Sequence, residues 1–334
     1  MRRAEVSYPW LLALLGGLAL VLFALSLAIG YAPLDLPAAG ADALGGRETI
    51  GALVLVELRL PRALLGLLVG FTLGLSGAVM QGFLRNPLAE PGVVGVSGGA
   101  ALGAVVVFYS GLAATSSLLL PLGGIVAALL VGGLLFAVAG RGMSTTTLIL
   151  AGVAINSLAG ALISLTLNLA PNPYAAMEIM FWLMGSLADR SFSHVWVAIA
   201  PMIVGWMLLL STSRALDALS LGEETARTLG IGMRRVRAAV VGGVALSVGA
   251  ATAVTGVIGF VGLVVPHLLR PFVAHRPGRL LFASGLGGAS LTLAADIAVR
   301  LIPSRPELQL GVVTAIIGAP FLFSLVWRYR RLER

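Results

Sequence analysis

Between residues 91 and 177 a single charged side chain interrupts the chain, Arg141. The flanking runs, 91–140 and 142–177, hold no Asp, Glu, Lys or Arg. About 20 apolar residues cross a bilayer as a helix, so the first run can hold two crossings. Inside lipid every backbone N–H and C=O needs an internal partner, which leaves helices and closed barrels. A barrel requires short strands of alternating polarity, and these runs do not alternate. Composition agrees, with 58% of 334 residues hydrophobic and 11% charged, where soluble domains carry about a quarter. The expected fold is all-α and polytopic, with residues 1–334 forming one transmembrane domain.

The apolar pattern predicts ten spans, at about 10–30, 63–83, 92–110, 118–140, 146–169, 195–213, 238–256, 257–274, 280–299 and 308–327. Only 32 residues separate Arg237 from Arg270, too few for two full crossings at about 1.5 Å per residue. Either the seventh or the eighth span is short, or the eighth runs past Arg270 into Pro271. Arg2 and Arg3 ahead of an apolar stretch imitate a signal peptide, but 10–30 exceeds the usual apolar core of one. A retained first span is expected.

All 22 basic residues are Arg, and the net charge is +8. On this layout 16 of them fall in segments on one side, among them Arg85, Arg141, Arg214, Arg227, Arg234, Arg235, Arg237, Arg270, Arg276 and Arg279. That asymmetry marks the cytoplasmic side and puts both termini there. The excess charge thus follows membrane topology and does not point to nucleic acid. With no Cys there are no disulfides, thiolate metal sites or Cys nucleophiles, and with no Lys there is no phosphate loop of the Gly-Lys-Ser/Thr kind. Any ATP that drives this protein is bound by another subunit.

Three connections are long. Residues 31–62 and 170–194 fall outside; the second carries Pro171, Pro173 and an apolar stretch, 174–187, expected as a short helix against the bundle. Residues 214–237 fall inside and form the most polar stretch, broken at Gly222 and Gly230 into two short helices. Leu216, Leu219, Leu221, Ala226 and Leu229 are its candidate contacts for a partner's groove. Gly66, Gly70 and Gly74 recur every four residues, continued by Ala78 and Gly82, a spacing that lets helix backbones pack closely.

Other signals are weaker. Gly95-Val96-Ser97-Gly98-Gly99 matches a hydrolase elbow, which needs a strand–turn–helix setting and a His–acid pair; here it opens a membrane helix. His194, His267 and His275 lie in separate segments, and His267 after Pro266 reads as a packing histidine more readily than as a porphyrin or metal ligand. Asp296 is the one acid well inside a span. Arg300, four residues on, shares its face, so a structural ion pair competes with a role in signalling from the outer surface.

Several motifs resemble the iron-chelate, haem and cobalamin permeases of ABC importers, the FecCD type. They are Leu58-Arg59-Leu60-Pro61-Arg62, Ser76-Gly77-Ala78-Val79-Met80-Gln81, Asn86-Pro87-Leu88-Ala89-Glu90-Pro91-Gly92 with Gly95-Val96-Ser97, Gly222-Glu223-Glu224-Thr225-Ala226-Arg227-Thr228-Leu229-Gly230, Gly259-Phe260-Val261-Gly262-Leu263-Val264-Val265-Pro266-His267, Ala294-Ala295-Asp296-Ile297 and Gly311-Val312-Val313-Thr314 with Gly318-Ala319-Pro320. The resemblance implies the type II ABC-importer permease architecture in the bacterial inner membrane. It implies a homodimer with the path at its interface, two cytoplasmic ATP-binding subunits and an external substrate-binding protein. By the same resemblance Arg59, Arg62 and Arg300 engage acidic residues of the binding protein. Asn86, Leu88, Thr145 and Thr146 narrow the cytoplasmic side of the path, and Leu221, Gly222, Glu223, Glu224, Ala226, Arg227, Leu229 and Gly230 form the coupling helices on the ATPase. The chain itself takes no cofactor, and no metal site or catalytic residue is expected.

The expected cargo is an iron chelate, siderophore or haem, with cobalamin the alternative inside the same family. An ion-driven secondary transporter is the reading from another class. It would keep midplane charges and broken helices, and here only Asp296 qualifies.

Overall fold

The computed structural model describes residues 7–116, 118–139, 145–304 and 306–332. Arg141, used above to orient the chain, and Arg2 and Arg3 lie outside the described residues. Every regular element among those described is helical.

The first helix, α1 (Tyr8–Ala28), has Pro9 in its first turn, where the missing N–H costs nothing. Outside the span follow α2 (Leu36–Leu44), capped by Asp35 Oδ1 accepting from Ala38 N at 3.2 Å, and α3 (Ile50–Leu53), capped by Thr49. A π-helical turn, Val54–Arg59, leads without a break into α4 (Leu60–Leu84). After a 3-10 turn at Pro91–Val94 comes α5 (Val96–Tyr109). Then come α6 (Leu119–Ala139), α7 (Thr145–Asn168), α8 (Pro173–Leu183) and α9 (Phe192–Ser211). The inner connection holds α10 (Ser213–Leu219) and α11 (Glu223–Thr228). The chain closes with α12 (Met233–Thr255), α13 (Val261–Leu269), α14 (Pro277–Leu301) and α15 (Leu310–Leu332).

Seven helical stretches among the described residues are long and apolar enough to cross a membrane, and three shorter apolar helices stand where the other expected spans lie. Two expectations change. The third span does not start at 92, because Gly95 adopts φ 81° and separates the Pro91–Val94 turn from α5. Of the seventh and eighth spans, the eighth is the short one: α13 has nine residues, followed by a 3-10 turn at Arg270–Val273. Pro271 in that turn ends the α-helical hydrogen-bonding. Within 174–187 the helix is α8 (Pro173–Leu183), which Asn172 caps through Oδ1 accepting from Ala175 N at 2.9 Å, and residues 184–187 leave it through Gly185 at φ 75°.

The helices sort into two sets. α4, α12 and α14 are mostly buried, whereas α1, α6, α7 and α9 leave most of their surface uncovered. Burial follows small residues. On α4, a Cβ added at Gly70 would meet the Ala289 Cα at 2.7 Å and the Gly288 carbonyl closer still, and one at Gly74 would strike the Ser284 carbonyl. Lipid is as apolar as leucine, so the α4–α14 contact depends on this close approach of backbones rather than on hydrophobic drive. Polar links add register: Trp206 Nε1 donates to Thr72 Oγ1 at 2.8 Å, joining α9 to α4.

Candidate functional site

The two ends of the bundle carry the charged residues singled out above. "Outer" and "inner" follow the arginine bias. At the outer end the last carbonyls of α1 have no helical partner and lie beside apolar surface, where an unmade hydrogen bond is costly. Two guanidiniums take them. Arg59 Nη1 donates to Leu27 O at 2.8 Å and Ala28 O at 2.6 Å, and its Nη2 to Ala32 O at 2.5 Å. Arg300 Nη1 donates to Ser26 O at 2.8 Å and Ile29 O at 2.6 Å. Cations also suit the negative end of the helix dipole. Gly30 is what lets Arg59 lie there, since a Cβ would sit 2.9 Å from Nη2.

Beside this cap, Asp296 is held between two arginines. Arg62 Nη2 lies 2.8 Å from Asp296 Oδ1, and Arg300 Nη2 lies 2.8 Å from Oδ2. Arg62 also pairs with Glu307 in the connection ahead of α15. Two cations and two carboxylates thus form a neutral, largely buried cluster. The ion pair expected between Asp296 and Arg300 is present, while Glu307 and the Arg62–Asp296 bond escaped the sequence reading. The i, i+4 rule finds partners along one helix, not across α4, α14 and a distant loop.

These arginines do not stand free in solvent. Arg59 and Arg300 are each only 6% exposed, because helix carbonyls and Asp296 draw them inward. All three nevertheless line an open outer cavity of about 740 Å³. Its wall also includes Glu178 and Trp182 of α8, Arg190, His194, Glu307 and Gln309. Burial lowers the pKa of Arg190, and Asp189 beside it offsets only part of that.

At the inner end, Gly222 has φ 112° and ψ 153°, a conformation open essentially to glycine alone, and it separates α10 from α11. The contact residues proposed for 214–237 divide. Leu216, Leu219 and Ala226 are buried within the chain's own fold, so they are not available to a partner. Leu221 and Leu229 are 68% and 62% exposed. Glu224 is exposed, and Glu223 pairs with Arg227 at 2.7 Å in water. Gly230, at φ 80°, ends the segment.

Asn86 and Leu88 lie in the turn after α4. Arg85 is left-handed at φ 49°, and Asn86 Oδ1 accepts from Leu88 N at 2.9 Å, an Asx turn. The Pro91–Val94 turn packs on α7, tied by Asn156 Nδ2 donating to Gly92 O at 2.6 Å. Thr146, in the first turn of α7, is exposed; the Thr145 side chain lies outside what is described. Glu90, just ahead of this turn, is half-buried, and desolvation raises its carboxyl above the ordinary range, with a backbone hydrogen bond from Phe260 opposing.

The histidines stay apart. His194 Nδ1 lies 3.1 Å from Ser191 Oγ in the cap of α9, His267 packs edge-on against Phe321 at 5.6 Å, and His275 is a left-handed turn residue. No group of three His, Cys, Asp or Glu among the described residues is placed to hold a metal. Ser97 sits inside α5, with no strand before it.

The profile of the FecCD transport family matches residues 18–328. The chain belongs to that family. It is 40% identical over 281 residues to the vitamin B12 import system permease protein BtuC of Klebsiella pneumoniae, covering 84% of each chain. It is 37% identical over 279 residues to the hemin transport system permease protein HmuU of Yersinia pestis, covering 82% of this chain and 83% of that one. A solved inward-facing structure, described as a transporter of metal-chelate ABC type, superposes with a TM-score of 0.83 at 34% identity, over 96% of this chain and 99% of the other. As a member of the FecCD family the chain is a multi-pass membrane permease of ABC type, not an ATPase.

Proposed function

We propose that two copies of this chain form the translocation path of a binding-protein-dependent importer for a metal chelate. The observation that carries the reading is the near-complete match to the solved metal-chelate type transporter, joined to a rigid glycine-packed core with distinct outer and inner charged ends. Both termini face the cytoplasm. At the inner end, two ATP-binding subunits seat the 221–230 segment, using exposed Leu221, Glu224 and Leu229. At the outer end, a soluble binding protein docks over the cavity walled by Arg59, Arg62 and Arg300. Asn86, Leu88, Thr145 and Thr146 narrow the inner mouth. ATP binding draws the ATPase pair together, and the coupling segment passes that motion to α9 and α12, between which it lies.

Cobalamin is the favoured cargo within this reading, ahead of haem and ferric siderophores. B12 permeases stand among the relatives at 40% identity, which moves the reading away from the iron chelates expected from sequence. The test is reconstitution in proteoliposomes with the ATPase and binding-protein partners, after the ligand carried by the purified binding protein is identified by absorbance and mass. The expected result is uptake of that chelate that requires ATP, with no hydrolysis by this chain alone. Uptake driven by an ion gradient without the ATPase would overturn it.

A further inference from the structure

A second cavity, of about 250 Å³, lies at the inner end, between the last turn of α4, the end of α10, the 3-10 turn after α13 and the first turn of α14. Arg85, Arg270 and His275 line it, and no carboxylate among the described residues stands in its wall. Asp217 of α10 is engaged elsewhere, its Oδ1 accepting from Gly278 N at 2.7 Å in the first turn of α14. The wall is braced from within the bundle. Gln81, which is buried, donates through Nε2 to Leu263 O at 3.2 Å and accepts from Arg270 Nη2 at 2.5 Å. That bond sets the plane of the Arg270 guanidinium. Arg85 and His275 reach the cavity from left-handed backbone, at φ 49° and 59°, a conformation disfavoured for residues with a Cβ. Arg85 makes no ion pair among the described residues.

The height of the cavity points to what occupies it. Arg279, two residues past the lining Pro277, lies over the Tyr8 ring at 5.3 Å from its centroid. Tyr8 opens the first span, and tyrosines at span ends sit at the level of lipid headgroups. Leu268 and Phe272, on either side of Arg270 in the chain, are each more than half exposed, an apolar surface that suits acyl chains. Two guanidiniums and an imidazole around one space fit an oxyanion, whose oxygens only accept. The volume admits a phosphate with a few waters, each of which takes about 30 Å³.

We propose that this cavity receives one phosphate group, supplied by an anionic phospholipid of the adjoining leaflet. Arg85 and Arg270 take the phosphate oxygens, Gln81 holds Arg270 in position, and the acyl chains run along Leu268 and Phe272. Basic pockets between spans are suited to such headgroups. The inference rests on the reading above only in calling this leaflet the cytoplasmic one.

The experiment titrates the purified full-length chain in detergent with dioleoylphosphatidylglycerol, counting bound lipid by native mass spectrometry and following the thermal melt. Wild type should retain a tightly held lipid and melt higher as lipid is added. Asn tolerates left-handed backbone, so Arg85→Asn removes the charge and keeps the turn. It should weaken that lipid about tenfold or more, the loss of a charged hydrogen bond, and Arg85→Glu should abolish binding. His275→Asn should weaken it as well, which keeps the test open if the Arg85 variants misfold. Dioleoylphosphatidylcholine, whose headgroup brings its own cation, should bind more weakly than the glycerol lipid. Arg234 is exposed at the same end and outside the cavity, and Arg234→Gln should leave the lipid in place. Undiminished binding by Arg85→Asn and Arg85→Glu chains that melt normally without lipid overturns the proposal. An equal loss in Arg234→Gln also overturns it, because general surface charge then holds the lipid. A melt raised by inorganic phosphate and not by the lipid overturns the lipid as the source. A detergent micelle has no sides, so a failed orientation moves the site to the other leaflet without removing it.

Discussion

At the outer end Asp296 keeps 1% of its side-chain surface in water, between Arg62 at 13% and Arg300 at 3%; at the inner end Glu223 meets Arg227 with 38% and 63% still wet. The two sets of contacts have the same length and the same chemistry. What differs is the cost of separation. In water a lost partner is replaced by solvent, and an exposed i, i+4 pair contributes about 0.3–0.5 kcal/mol. Where the surroundings are apolar, the abandoned charge has nowhere to go. The outer cluster therefore belongs to the architecture, and the inner pair is a solvated face that a partner could cover.

The sharpest way to break this contrast is Asp296→Ala, which leaves Arg62 and Arg300 facing each other. A loss of about 3–5 kcal/mol is expected, read as a large fall in melting temperature in nanodiscs. A wild-type melt would mean that water reaches the cluster. Next in size is Arg59→Ala, which strips three carbonyls of their donor at a cost of about 1–3 kcal/mol. Hydrogen exchange should rise in residues 26–32 and not in α11.

Between the ends, Glu90 provides a pH test of the same principle. Its carboxyl is raised by burial, so the folded chain holds that proton more tightly than the unfolded one. Stability is full below the ordinary carboxylate range, falls as pH rises through the raised value, and is flat above it. Glu90→Gln should remove this slope and melt higher than wild type at neutral pH; an unaltered profile would place Glu90 in water.

Smallest in stability is the inner end. Arg227→Ala should change the melt by no more than about 0.5 kcal/mol. Reversing both Glu223 and Glu224 to Lys should likewise leave insertion and melting near wild type, yet abolish ATP-coupled uptake. Normal uptake with full recovery of the ATPase on pull-down would show that the segment's charge is not part of the contact.

Apolar runs in the sequence decided that the chain is helical and crosses a membrane, because lipid admits few backbone solutions. Spacing decided more: glycine every fourth residue on α4 foretold a close helix contact, and Gly222 and Gly230 foretold the broken inner segment. Hydropathy could not say which spans lie inside. The stretch that contains α4 and the one that contains α7 are almost equally apolar, yet one is buried and the other largely bare, since leucine is as content against lipid as against protein. Nor could the sequence show that Arg59 caps α1 from 27–32 residues away, that Glu307 completes the cluster, or that Arg190 Nε is buried in the same cavity wall without a partner. Charge sign and order along a chain carry no record of distance across a bundle. Those outcomes were decided only when packing brought the ends of α1, α4, α14 and the turn after α8 together, where each buried donor had to find an acceptor or go without.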